Sequence, residues 1–101
     1  MDILRRVSTA VASRYAEAAA RFKALGHPVR LGIVLRLAES PGTCACDFAE
    51  VFGIAQPTVS EHLRVLRHAG LAVTERRGTQ ICYSLAPGVF AELTKLVGSL
   101  A

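Results

Sequence analysis

The chain has 101 residues, of which 51% are hydrophobic and 20% charged, with Gly 8 and Pro 4. That length suits one domain and not two, and the proportions are globular, which excludes disordered, collagen-like and low-complexity scaffolds. The net charge is +4, distributed as +4 over residues 1–30, −2 over 31–55, +2 over 56–80 and zero over 81–101. An acidic segment that holds two of the three cysteines is therefore followed directly by a basic one, which hints at an anionic partner.

The longest strongly apolar runs, such as Leu31–Leu35, fall far short of the ~20 residues a membrane span needs. The opening Met-Asp-Ile-Leu-Arg-Arg lacks the apolar core of a secretion signal, so a cytoplasmic protein with no membrane partner is expected. An odd number of cysteines without such a signal argues for reduced thiols instead of a disulfide framework.

In chain order, Leu4, Val7, Val11, Tyr15, Ala18 and Phe22 recur at three- and four-residue steps, which predicts a long amphipathic helix from Ile3 to Leu25. Gly26 and Pro28 punctuate it, and Pro28 suits the first turn of a second helix through Val29, Leu31, Ile33, Val34 and Leu37. Pro41-Gly42 ends that helix. The segment Thr43-Cys44-Ala45-Cys46-Asp47 then leads into a brief helix over Phe48–Phe52, stopped by Gly53. Gln56-Pro57 opens a helix running to His68, with Gly70 past its end. A hairpin follows: Leu71–Glu75, a turn at Arg76-Arg77-Gly78-Thr79, and Gln80–Leu85, where Ile81, Tyr83 and Leu85 alternate with Gln80, Cys82 and Ser84. A last amphipathic helix carries Val89, Phe90, Leu93, Leu96, Val97 and Leu100.

This order gives a mainly α fold with a β-hairpin wing, a winged helix-turn-helix in one domain over residues 1–101. On the Pro57–His68 helix, Val59, Leu63 and Leu66 share one side, and Thr58, Ser60, Glu61, Arg64 and His68 share the other. Hydroxyls at a helix start and a cation further along are useful in a major groove, because Ser and Thr meet phosphates or base edges and Arg forks onto guanine. A solvated face is the ordinary reading of such a stripe. The preceding short helix, the tight Gly53-Ile54-Ala55 turn and the basic hairpin tip move the balance to double-stranded DNA. The candidate contacts are Gln56, Thr58, Ser60 and Arg64 on the helix and Arg76, Arg77 and Gln80 on the wing.

Three blocks in this order carry a family resemblance: Ala24-Leu25-Gly26-His27-Pro28-Val29-Arg30-Leu31, then Thr43-Cys44-Ala45-Cys46-Asp47-Phe48, then Gln56 through Leu71. Together they resemble the arsenic-repressor (ArsR/SmtB) family. The resemblance implies a homodimeric repressor that holds operator DNA when free and lets go on capturing a metal or metalloid. It departs at Ala55, where many members carry a capping Ser, so Gln56 or the turn backbone must serve instead.

Cys44 and Cys46 converge only in extended chain, since two residues on a helix place side chains about 200° apart. A nearby helix start is expected to favour their thiolates, and thiolates suit soft ions. The pair coincides with the metal-binding motif that the resemblance implies, so it is the candidate site for As(III) or Sb(III) as inducer; no cofactor is expected for DNA binding. A third family cysteine would fall at Ala49, which leaves the third ligand open. Cys82 is the remaining thiol, and pairing of the Thr43–Cys46 stretch with the returning wing strand would bring it across from them. The last helix has no His or Asp for the family's zinc site. His27, His62 and His68 are read as a turn residue, a packing residue and a helix-end residue. Dimerisation is expected through Leu4, Val7, Val11 and Tyr15 with Val89, Leu93, Leu96 and Leu100. A thiol redox sensor and a protein-binding winged helix are the competing readings; no nucleophile–base set or carboxylate pair suggests an enzyme.

Overall fold

A computed structural model describes the backbone of residues 9–101 and the side chains from Tyr15 onward. Its elements are α1 (Thr9–Leu25), α2 (Pro28–Glu39), β1 (Thr43–Cys44), α3 (Ala45–Phe52), α4 (Gln56–His68), β2 (Ala72–Arg77), β3 (Gln80–Leu85) and α5 (Val89–Gly98). This is the expected winged helix-turn-helix. None of the described helices is long and apolar enough to cross a membrane.

Local chemistry sets the boundaries. The His27 ring caps α2, its Nδ1 accepting the Val29 N–H at 3.1 Å, and Pro28 follows where no intrahelical N–H is needed. Gly70, at φ 77°, ends α4 in a Schellman arrangement: the Leu71 N–H donates to Leu66 O and the Gly70 N–H to Arg67 O, both at 3.0 Å. No side chain caps the start of α4. The Ala55 carbonyl accepts from the Thr58 and Val59 N–H groups there, so the backbone takes the part left by the missing Ser, as one of the two expected substitutes.

Val59, Leu63 and Leu66 of α4 are fully buried against Ile33, Val34 and Leu37 of α2 and Phe48 of α3. The polar face of α4 is left outward, as its periodicity predicts. Phe48 sits at the junction of these helices, and its truncation to Ala is worth about 3–5 kcal/mol by the usual cavity arithmetic.

The sheet has the order β1-β3-β2, with all pairs antiparallel. β3 is therefore the central strand, flanked by β1 and β2, and the face expected to be polar is the one that buries Cys82, at 2% exposure, while Ile81 on the other face is 39% exposed. The hairpin turn is tighter than expected: Arg77 pairs with Gln80, leaving only Gly78 and Thr79 in the loop. Arg76 and Arg77 are thus strand residues at the wing tip.

Two expectations about the terminal helices change. Leu93 is a core residue at 6% exposure, buried in its own protomer, and Val89 packs partly on the same core. The outward apolar residues are Leu96 and Val97 on α5 and Leu100 just past its end. Leu4, Val7 and the Val11 side chain lie outside the described residues.

Candidate nucleic-acid interface and thiol site

The start of α4 faces the wing across a cleft of about 390 Å³, bordered by Cys44, Cys46, Gln56, Ser60, Gln80 and Tyr83 among others. Three of the expected DNA residues, Gln56, Ser60 and Gln80, therefore share a cavity with two of the expected metal ligands. Thr58 lies exposed beside them on the first turn of α4. Nothing in spacing alone could reveal this sharing, because it depends on the register of β1 on β3.

That register places Cys44 opposite Cys82. The expectation that Cys82 lies across from the thiol segment holds. The Cys44 Sγ–H also reaches Gln80 Oε1 at 3.4 Å, a contact that ties the wing to the thiol segment.

The helical state of the segment differs from expectation. α3 begins at Ala45, with Cys44 as its N-cap, so Cys46 stands on the first helical turn and is exposed while Cys44 is buried. The early start follows from the β1 pairing, which fixes Cys44 in extended conformation and frees the chain to turn immediately afterwards. Cys44 and Cys46 consequently do not lie side by side on one strand. Among the described residues, no three His, Cys, Asp or Glu side chains are already gathered around a common point.

The thiol chemistry also runs opposite to the helix-start expectation. A hydrogen bond with Cys82 pushes the Cys44 thiol up to about 11, aided by burial and by the nearby Cys82, Asp47 and Cys46. Desolvation and like charge outweigh the helix terminus here. Cys44 is held as a neutral thiol at ordinary pH.

Further along α4, Arg64 is forked onto Glu61, with Nε to Oε2 at 3.0 Å and Nη2 to Oε1 at 2.5 Å. The guanidinium expected to meet guanine is thus engaged, and a base would have to displace an exposed carboxylate to reach it. At the wing tip, Arg77 pairs with Glu75 at 3.6 Å and lies over Gly42, where even a Cβ would come within 2.8 Å of its Nη2. Arg76, its neighbour on the strand, projects from the opposite face of the sheet.

One functional pair escaped sequence reasoning. The Arg30 guanidinium donates from Nε to Ala24 O at 2.6 Å and from Nη1 to His62 Nδ1 at 3.3 Å. His62 also stacks on His27, with ring centroids 4.5 Å apart. Burial, then the adjacent His27 and Arg30, hold the His62 ring below its usual basicity. His62 is therefore the neutral packing residue expected, locking the start of α2 to the middle of α4.

A polar helix face, a buried apolar face and a basic two-stranded wing define a winged helix-turn-helix DNA-binding regulator. Residues 27–73 match the model of the bacterial regulatory protein arsR family. An HTH-type transcriptional regulator of Methanocaldococcus jannaschii is 38% identical over 87 residues, covering 86% of this chain and 98% of that one. The arsenical resistance operon repressor of Escherichia coli is 38% identical over 76 residues, 75% of this chain and 65% of its own length. Among solved structures, the homodimeric winged helix-turn-helix DNA-binding domain of a Mycobacterium bovis protein superposes with a TM-score of 0.76 at 30% identity, covering 93% of this chain and 86% of that one. The chain belongs to the arsR family and is a winged-helix transcriptional repressor, not an enzyme.

Proposed function

We propose that the protein is a metalloid-responsive repressor that binds operator DNA as a homodimer and releases it when Cys44, Cys46 and Cys82 capture arsenite or antimonite. The single observation that carries this reading is the shared cleft: Cys44, Cys46 and the candidate DNA residues Gln56, Ser60 and Gln80 line one cavity. Two thiols lining such a space, with a third on the adjoining strand, suit a small, three-coordinate, thiophilic ligand. Cys44 and Cys82 already face each other. Cys46 has to leave its place on the first turn of α3 to join them, and α3 packs on α4 through Phe48. Gathering the sulfurs therefore loosens the support of the recognition helix and draws Gln80 from Cys44.

The protonated state of Cys44 favours a metalloid over a divalent cation. A neutral trihydroxide exchanges each hydroxide for a thiol, and the thiol proton leaves as part of water. A dication must expel those protons into solution, which costs more the higher the thiol is held.

The facing Cys44 and Cys82 also favour a second reading, oxidation of that pair to a disulfide by a peroxide or disulfide oxidant. Burial and a raised thiol make it slow, since the thiolate is the reacting form. Counting free thiols before and after mild oxidant separates the two.

The test is a DNA-release titration against arsenite, antimonite, cadmium, lead and zinc. Release at the lowest concentration by arsenite or antimonite is expected; release by oxidant alone, or by zinc ahead of both, overturns the assignment. For the dimer, a charge at the exposed Leu96 is expected to give a monomer that no longer holds operator, read by sedimentation. The same change at Leu93 would unfold the protomer and is uninformative.

A further inference from the structure

Beyond the thiol cleft, the far half of α4 borders a second cleft of about 390 Å³, between its last turns and the junction of α1 and α2. Four nitrogen-bearing side chains rim it: Lys23 at the end of α1, Arg30 at the start of α2, and Arg64 and His68 on α4. Its floor is small and apolar, and no carboxylate lines it. Arg30 is fixed in place by its bonds to Ala24 O and His62 Nδ1. Lys23, Arg64 and His68 are exposed. Glu61, which pairs with Arg64, does not line the cleft.

We propose that this basic cleft is a second DNA contact, taking backbone phosphates that flank the stretch read by the start of α4; the inference rests on the DNA-binding reading above. Two observations select DNA as occupant. The charge is complementary: cations from three separate helices converge on one hollow, and duplex DNA carries a negative charge about every 1.7 Å of its axis. The cleft is also continuous with the reading face, because Ser60, Arg64 and His68 follow one another at four-residue steps along α4. A duplex laid on Gln56 and Ser60 runs past Arg64 toward Lys23. The contact is independent of sequence, since phosphates position a protein and carry no base identity.

The test uses the full chain and labelled mixed-sequence duplexes. Lys23→Gln is compared with Lys95→Gln, which removes the same charge from exposed α5, away from the cleft. Lys23→Gln is expected to weaken binding by the same factor on two unrelated duplexes and to flatten the log–log salt dependence by about 0.9 relative to Lys95→Gln. Coincident isotherms and slopes for the two variants overturn the proposal, as does a loss confined to one duplex. If wild type binds no duplex at all, the reading of α4 as a DNA helix fails first and takes this inference with it. Circular dichroism confirms that both variants are folded.

Discussion

The two ends of α4 face different chemistry. At its start, Gln56 and Ser60 share a cleft with the buried Cys44 and the exposed Cys46, and no Lys or Arg lines it. At its end, Arg64 and His68 border a cleft rimmed by Lys23 and Arg30. The same helix thus borders thiols at one end and cations at the other. A ligand that displaces thiol protons works best where no cation competes for the sulfurs, and a polyanion works best where cations are dense. On the proposed reading, capture of a ligand by the thiols disturbs the reading end of the helix through α3, which packs on it by Phe48.

The sharpest way to break that contrast is at the thiols. Cys44→Ser should bind DNA as wild type does yet fail to release it with arsenite. The loss is the whole coupling, roughly 5- to 150-fold in DNA affinity for a typical 1–3 kcal/mol. Cys46→Ser should behave alike, and Cys82→Ser should move the release curve to higher arsenite. If Cys44→Ser still releases DNA with a wild-type curve, the start of α4 is not the sensing end.

A smaller effect is expected at the wing. Replacing Arg76 and Arg77 with Ala should flatten the salt dependence of binding by up to about 2. Arg76 should account for more of it, because Arg77 is held by Glu75 and lies over Gly42. Anisotropy across a salt series measures both. Ser60→Ala should instead alter which sequences bind.

Proton dependence separates ligand classes at the sensing end. Arsenite binding should change little between about pH 6 and 8, whereas cadmium binding should strengthen steeply over the same range as thiol protons become easier to expel. Calorimetry in buffers of different ionisation enthalpy reads this directly. The same thiol contributes to stability with a definite sign. Its folded-state value lies above its ordinary 9.0, at about 11. The stabilisation is complete below 9.0 and is lost as pH rises through about 11. Cys44→Ser should remove that alkaline loss.

The smallest effect belongs to His62. Its basicity is lowered by burial and by His27 and Arg30, so its contribution is present above the ordinary value of 6.5 and is lost as pH falls below it. His62→Asn, which keeps an acceptor for Arg30, should reduce the acid shift of the thermal midpoint. An unchanged shift would mean that the His62–Arg30 contact does not couple to protonation.

Much of this was legible in the chain. The period of Val59, Leu63 and Leu66 and the punctuation by Pro28, Gly53, Pro57 and Gly70 are local signals, and they placed the helices. The recognition face followed, because burial of one stripe dictates exposure of the other. The start of α3 was not legible, because a two-residue strand at Thr43–Cys44 exists only through its pairing with β3. For the same reason the raised Cys44 thiol could not be foreseen: the helix start is local, whereas the Cys82 neighbour comes from 38 residues away in sequence. Leu93 was misassigned because a helical period tells which side is apolar but not whether a protomer or its partner covers it. The Lys23–Arg30–Arg64–His68 cleft draws on three helices, so no window along the sequence contains it.

The central claim is that the cleft at the start of α4 holds the inducer through sulfur. X-ray absorption on the arsenite-loaded protein tests it most directly, by counting sulfur neighbours around arsenic. Three are predicted for wild type and two for Cys82→Ser. An arsenic surrounded only by oxygen, with no sulfur neighbour in wild type, would contradict the account.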